Sequence, residues 1–341
     1  MTAKMVAVGY AASLPIAQER SLFEFETAVP RAQGRDLLVR VHAVSVNPVD
    51  VKVRMRKQGT EAEPVVLGWD AAGVVEAVGA DCRLFKPGDQ VYYAGSITRP
   101  GTNAPFHLVD ERIVGHKPRS LSFVEAAALP LTSITAWEAL FDRLQVPVGK
   151  AGPGRSILIV GAAGGVGSIA TQLARRLTPL TVIGTASRPA TRDWVLKAGA
   201  HLVVDHSKPL AEELKRAGHP EVDYIFAVTA SDRHWMQLVA AIKPQGRICM
   251  IDDPPTLDVK PLKQKSVAFM WELMFTRSTF QTADMQAQHD LLGEIAALID
   301  EGLIRTTLSG TFGRLTAADL KRAHAQLESG TTIGKVVLEV K

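Results

Sequence analysis

The chain has 341 residues, 46% of them hydrophobic and 22% charged, which is enough for two cores and ordinary for a globular protein. Lys and Arg number 39 against 35 Asp and Glu, a net of +4 with no basic run and no interleaved aromatic stripe, so a nucleic-acid partner is not expected. No apolar stretch reaches the length of a membrane span, and two cysteines, Cys82 and Cys249, are too few and too far apart for a disulfide framework or a Cys-rich metal knuckle; a cytoplasmic protein is the expectation.

Met5 to Ala12 is short, contains Gly9 and Tyr10 and runs into Pro15, which fits a first strand better than a signal peptide. Leu37 to Val46 alternates and is strongly branched, and Ala71 to Val78 is small and apolar. Phe85-Lys-Pro-Gly-Asp-Gln-Val91 reads as a turn feeding a strand. Such short strands, punctuated by Gly and Pro, predict a compact barrel-like β-rich domain. From about Leu121 the period changes. Val124, Ala127, Ala128, Leu131, Ile134, Thr135, Ala136 and Leu140 recur at helical spacing and mark the crossing into a second domain.

Ser156 to Ser168 carries the most information. Ile157 to Val160 has the continuous branched character of a strand buried on both faces, and Val166, Ile169, Ala170, Leu173 and Leu177 then follow at helical spacing. Between them lies Gly161-Ala-Ala-Gly-Gly-Val-Gly167. Read from Ala162 the spacing is A-x-G-x-x-G, with alanine at the usual first glycine. A strand, a glycine turn and a helix N-terminus in that order present backbone N–H groups to a pyrophosphate, so Ala163, Gly164, Gly165 and Val166 are the expected cradle of a dinucleotide.

Strands and helices alternate beyond that point. Leu180 to Thr185, His201 to Asp205, Tyr224 to Val228 and Arg247 to Ile251 read as strands, with helices at Arg192 to Ala198, Leu210 to Ala217 and Trp235 to Ile242. This pattern predicts a doubly wound parallel sheet and an α/β protein overall. Asp284 to Glu301 is the longest helical candidate. Alternation returns at Lys335 to Val340, which predicts that the tail rejoins the β-rich domain; the expected boundaries are 1–125 with 280–341 for that domain and 126–279 for the other.

Ser45-Val-Asn-Pro-Val-Asp50, Gly68-Trp-Asp-Ala-Ala-Gly-Val-Val75, Lys86-Pro-Gly-Asp89, the Gly161 to Gly167 turn and Gly334-Lys-Val-Val-Leu338 occur in this order. The set resembles the medium-chain dehydrogenase/reductase superfamily over essentially the whole chain. Within it the chain looks most similar to the quinone oxidoreductase branch and to bacterial proteins called zinc-type alcohol dehydrogenase-like. The resemblance implies a GroES-like catalytic domain, a Rossmann domain, an active-site cleft between them, and a homodimer or homotetramer joined through the Rossmann sheets.

Zinc-binding members hold a catalytic metal with an early Cys and a Gly-His-Glu. Those places read Asn47-Pro48 and Gly68-Trp69-Asp70 here, and only Asp70 could serve as a ligand. The structural zinc lobe of such relatives needs four closely spaced cysteines, and the chain has two. No bound metal is expected. An acid about twenty residues past the glycine turn would bind the ribose of NAD. The second strand instead ends Gly184-Thr-Ala-Ser-Arg188, and Ser187 with Arg188 could hold a 2′-phosphate, so NADPH is the expected cofactor. Arg192 is a second candidate or an exposed helix residue. His206 stands where relatives place an aromatic beside the adenine phosphate, unless it is an ordinary surface histidine. Thr135 matches the family threonine beside the nicotinamide amide, and Val228 and Ile251 are assigned to the cofactor wall.

Without a metal to polarise an alcohol, the accessible reaction is hydride donation from NADPH to a quinone or an α,β-unsaturated carbonyl. Asn47 and Asp50 match the Asn-x-x-Asp of quinone oxidoreductases. Lys52 stands where members commonly carry a tyrosine donor, and reads either as an acid or as a solvent-facing strand residue. Trp69, Trp271 and Phe275 are candidate pocket walls and Arg277 a candidate polar contact, with core packing as the alternative for Trp271 to Arg277. Two other functions stay open: a zinc-dependent alcohol dehydrogenase, and an NADPH-binding protein with little turnover.

Overall fold

The computed structural model describes residues 3–60, 62–149 and 154–340. The chain divides into two compact units, one of Met1–Ile134 with Phe275–Lys341 and one of Thr135–Met274. The first stretch contributes β1 (Lys4–Tyr10), β2 (Phe23–Ala28), β3 (Asp36–Ser45), α1 (Pro48–Arg56), β4 (Val65–Val66), β5 (Ala71–Val78), β6 (Gln90–Tyr93), β7 (Phe106–Asp110) and β8 (Val114–His116). It continues into α2 (Phe123–Ala127) and α3 (Pro130–Trp137). The predicted helical run is thus split, because Ser122 and Glu125 cap one helix and Pro130 opens the next.

The middle stretch alternates β9 (Ser156–Val160), α4 (Gly165–Leu177), β10 (Thr181–Thr185), α5 (Pro189–Lys197), β11 (Leu202–Val204), α6 (Leu210–Arg216), β12 (Val222–Ala227), α7 (Ser231–Ala241), β13 (Ile242–Met250) and β14 (Ala268–Trp271). These six strands form one parallel sheet in the order β11-β10-β9-β12-β13-β14. Every residue of β9 is buried, as a strand covered by helices on both faces requires. The order reverses between β9 and β12, and in open α/β sheets the ligand crevice lies at that switch, beyond the carboxyl ends of the strands. One face packs Leu158, Val160, Ile225 and Ile248 against Trp235 and Leu238 of α7.

The last stretch returns to the first unit with α8 (Thr276–Phe280), α9 (Ala287–Asp300), β15 (Leu308–Arg314), α10 (Ala317–Glu328) and β16 (Lys335–Glu339). β16 runs antiparallel to β3, with Val337 opposite Ser45 and Leu338 opposite Val44, inside a seven-stranded sheet ordered β15-β16-β3-β5-β6-β8, with β7 also on β3. β2, β1 and β4 make a separate small sheet. No helix among the described residues is long and apolar enough to cross a membrane.

One local reading is corrected. Val49 to Val53 alternates like a strand, yet Lys52 lies in helix α1. Pro48 at the first helical position presets the backbone, and Asp50 Oδ2 accepts the Asn47 N–H at 2.7 Å. That combination starts a helix in spite of the branched residues.

Two histidines of the first unit are buried and uncharged. His107 Nε2 faces the Pro100 carbonyl at 3.0 Å and so carries the proton, leaving Nδ1 to accept from the Tyr93 hydroxyl at 3.2 Å. His324, on α10, has no hydrogen-bond partner for either ring nitrogen among the described residues. Burial pushes His107 down to about 4, and burial followed by the Arg54 charge pushes His324 down to about 3. Above the unfolded value of 6.5 neither affects stability. As pH falls below it, the unfolded chain binds protons that the folded chain refuses, so stability drops across this window. His324→Leu should therefore flatten the acid limb, gaining about 2 kcal/mol over the parent at pH 4.5 and much less at pH 7.5 by urea unfolding. An equal change at both pH values would remove His324 from the acid response.

Candidate active site

In the second unit β9 runs into Gly161, whose φ of +78° and whose approach to Thr229 both exclude a side chain: a Cβ would lie 2.7 Å from Thr229 Cγ2. Gly167 sits one turn into α4, where a Cβ would lie 2.3 Å from the Gly161 carbonyl oxygen and 2.6 Å from Ala162 Cα. It lets the helix pack directly onto the turn. Gly164, the N-cap, is different, since the nearest atom to a Cβ there is the Gly161 oxygen at 3.6 Å. Gly164, Gly165 and Val166 remain partly exposed beside buried Ala163. The first-turn N–H groups of α4 have no intrahelical acceptor, which leaves them available to an anion.

Thr185, the last residue of β10, joins the turn to His206. Its Oγ1 accepts the Gly161 N–H at 3.0 Å and lies 2.9 Å from His206 Nδ1. The hydroxyl thus bridges the turn and the imidazole through one oxygen. Burial first, then His234 and Arg188, hold this imidazole below its ordinary value and hence neutral at physiological pH. Ser187 and Arg188 are exposed at the same strand end, and the charge that Arg188 exerts on His206 places the two in one corner. Arg192 is tied elsewhere, donating to the Val203 carbonyl at 2.9 Å. Asp205, the nearest acid in sequence, accepts from the Ser207 hydroxyl and N–H at 2.7 and 2.9 Å. Val228 and Ile251 are half-buried just past β12 and β13, and Thr135 is buried on α3.

The first unit holds a second polar group. Asn47, Asp50, Asp70 and Lys335 come from the start of α1, the residue before β5 and the start of β16, and none is more than 3% exposed. Lys335 Nζ donates to Asp70 Oδ2 at 2.8 Å, to the Val46 carbonyl at 3.0 Å and to Asn47 Oδ1. Asn47 Nδ2 donates to Asp70 Oδ2 at 2.9 Å and reaches the Trp69 carbonyl at 3.4 Å, while the Leu131 N–H donates to Asp70 Oδ1 at 2.8 Å. The sequence singled out Asn47 and Asp50, but not the lysine that binds Asn47.

Trp69 is buried, donates its indole N–H to the Ser96 carbonyl at 3.1 Å, and meets Phe275 edge-on at 6.1 Å between ring centroids. Trp69 also reaches the floor of a 720 Å³ groove in the first unit, together with Val53 and Ile97. Arg277 is bound through Nε and Nη2 to Asp284 Oδ2, both at 3.0 Å, and Lys52 is half-buried. Trp271 belongs to the other unit, where it ends β14 and stacks edge-on with Phe269 at 5.3 Å.

The alcohol dehydrogenase GroES-like domain model matches residues 33–119, and the zinc-binding dehydrogenase model matches residues 198–338. A zinc-type alcohol dehydrogenase-like protein of Staphylococcus aureus (strain MSSA476) is 44% identical, over 95% of this chain and 96% of its own. The chain belongs to the medium-chain dehydrogenase/reductase superfamily. A crystal structure from Rhizobium etli CFN 42, named for zinc-dependent alcohol dehydrogenase, is similar at 55% identity and a TM-score of 0.95, covering 99% of both chains. The quinone oxidoreductase of Coxiella burnetii is similar at 27% identity and a TM-score of 0.80, covering 99% of this chain and 100% of its own. This medium-chain chain is therefore an oxidoreductase with a GroES-like domain and a pyridine nucleotide-binding fold.

The zinc in those names meets a poor donor set here. Among the described residues no group of three or more His, Cys, Asp and Glu side chains could hold a metal ion. Both oxygens of Asp70 are engaged, and one of them by an ammonium that already supplies a positive charge. A divalent cation would have to displace Lys335 from a buried ion pair to reach it.

Proposed function

We propose that the chain is a zinc-independent reductase that passes hydride from NADPH to a quinone or an α,β-unsaturated carbonyl. The observation that carries this reading is the buried Lys335–Asp70 pair, which fills with protein charge the one place where a family metal ligand could have stood. Bound NADPH supplies the hydride. The chain's own work is to bind it, orient it and keep water from the acceptor. Backbone N–H groups of Gly164, Gly165 and Val166 face the pyrophosphate, with Ala163 behind them. Ser187 and Arg188 take the 2′-phosphate, and the neutral His206 packs beside it without competing for it. Val228, Ile251 and Thr135 line the nicotinamide half. In the first unit Asn47, Asp50 and Lys52 are the polar groups assigned to the acceptor, with Trp69 and Phe275 as its apolar side chains and Arg277 as a further polar one.

Self-association through the parallel sheet belongs to the same proposal. β14 is one of its two edge strands, and Trp271 at its end and Leu273 just beyond are 51% and 59% exposed. A reducing cytoplasm is proposed as the setting, since Cys82 and Cys249 are both free thiols.

Oxidation of NADPH by a simple quinone or enone should survive exhaustive chelation with its rate unchanged. Activity lost to chelator and restored by zinc would replace this reading with a zinc alcohol dehydrogenase. Tight NADPH binding without oxidation across a broad panel of carbonyls and quinones would make the chain a nucleotide-binding protein instead.

A further inference from the structure

The buried cluster of the first unit contains two acids and one cation. Its charge therefore balances only when one acid holds a proton. Asp70 is the acid placed to stay ionised. Burial raises it, but Lys335 Nζ at 2.8 Å, Asn47 Nδ2 at 2.9 Å and the Leu131 N–H at 2.8 Å all donate to it and oppose that rise. Asp50 has poorer support. It accepts the Asn47 N–H at 2.7 Å, and among the described residues no cation is paired with it. Burial drives it up to about 7, with the Lys335 charge opposing the rise and the Asp70 charge adding to it.

The charged groups facing Asp50 are Lys335 from β16 and Asp70 from the approach to β5. Arg54, one turn further along α1, is directed away to the Leu14 carbonyl and Glu328. The same lysine also clamps Asn47 through its amide oxygen, so two residues assigned to the acceptor are governed by one side chain that uses its three N–H bonds inside the protein.

We propose that Lys335 and Asp70 are the positioning pair of this site, fixing the Asn47 amide and, through their opposed charges, holding the buried Asp50 poised to exchange a proton at working pH. The kinetic side of this assignment rests on the reductase reading above. Its electrostatic side does not, because the pair acts on Asp50 in the ligand-free chain.

The test is a titration of Asp50 by carboxyl ¹³C chemical shift in the full ligand-free chain, with the resonance identified by its loss in Asp50→Asn. Lys335→Met removes the opposing cation and should move the Asp50 midpoint up by at least about one pH unit. Asp70→Asn removes the neighbouring anion and should move it down by about as much. The double variant should return towards the parent, and Lys335→Arg should stay near it. Midpoints that stay fixed, or that move the same way in both single variants, overturn the proposal. If Lys335→Met fails to fold, Asp70→Asn and the charge-neutral double variant still decide, because a purely structural role predicts no downward shift in the first and no recovery in the second. In the kinetic arm, kcat for NADPH oxidation by a quinone should follow these midpoints while KM for NADPH stays within about twofold. Opposed carbon shifts without turnover on any acceptor would sustain the pair and reject the reductase reading.

Discussion

Gly167→Val is expected to abolish dinucleotide binding. A Cβ at this position would stand 2.3 Å from the Gly161 oxygen and 2.6 Å from Ala162 Cα, and both are backbone atoms that cannot rotate aside. The first turn of α4 must then move off the end of β9, and the N–H groups proposed for the pyrophosphate move with it. Overpacking of this kind destabilises by about 1–3 kcal/mol, so the chain should still fold with a lowered melting temperature. NADPH affinity, measured by calorimetry, should fall by more than about a hundredfold, corresponding to about 3 kcal/mol of binding free energy. Gly164→Ala is the contrast. Its Cβ meets nothing closer than 3.6 Å, so stability should hold while the methyl group still weakens binding from the ligand side. Wild-type affinity in Gly167→Val would remove this turn from the cofactor site.

Arg188→Ala should separate the two nicotinamide cofactors. The guanidinium lies at the carboxyl end of β10 beside Ser187 and close enough to His206 for its charge to be felt there, while Asp205 is occupied by Ser207. A 2′-phosphate would gain a charge-assisted bond from Arg188, and NADH has no group to receive it. Such a bond contributes about 1.5–3 kcal/mol, so NADPH binding should weaken by about ten- to a hundredfold, with NADH changed less than about twofold. Equal losses for both cofactors would take Arg188 out of the phosphate site and leave the choice of cofactor to other residues.

The dinucleotide half of the fold was legible because its signals are local. A buried branched strand, a glycine turn and an amphipathic helix lie within Ser156 to Leu177, and the later strands repeat the pattern at short range. The return of the tail to the β-rich unit was legible from alternation at Lys335 to Val340, and β16 does pair with β3. Thr185 was harder to see. Nothing in a threonine that closes a strand announces that its hydroxyl will join Gly161 to His206. Lys335 stood in the sequence only as part of Gly334-Lys-Val-Val-Leu338, without a site role, for a different reason. A lysine at a strand start is usually solvated, and only the pairing of β16 with β3 carries it under Val46 and Asn47. Trp271 drew attention as a possible pocket aromatic, but its local role is to end the outer parallel strand.

The distance along the chain between Lys335 and its acceptors also bears on how the protein folds. Asn47 lies 288 residues away and Asp70 lies 265 residues away, with the whole of the middle unit threaded between. Thr135–Met274 is continuous and can close on contacts of modest separation, whereas the sheet of the other unit needs a late, long-range docking of β16 on β3. Until that docking, Asp50 and Asp70 share a forming core with no counter-charge, and burial there is opposed by their repulsion. The last strand seals the sheet and brings the cluster its one counter-charge in the same event, so a chain in which β16 has not docked has no finished polar centre.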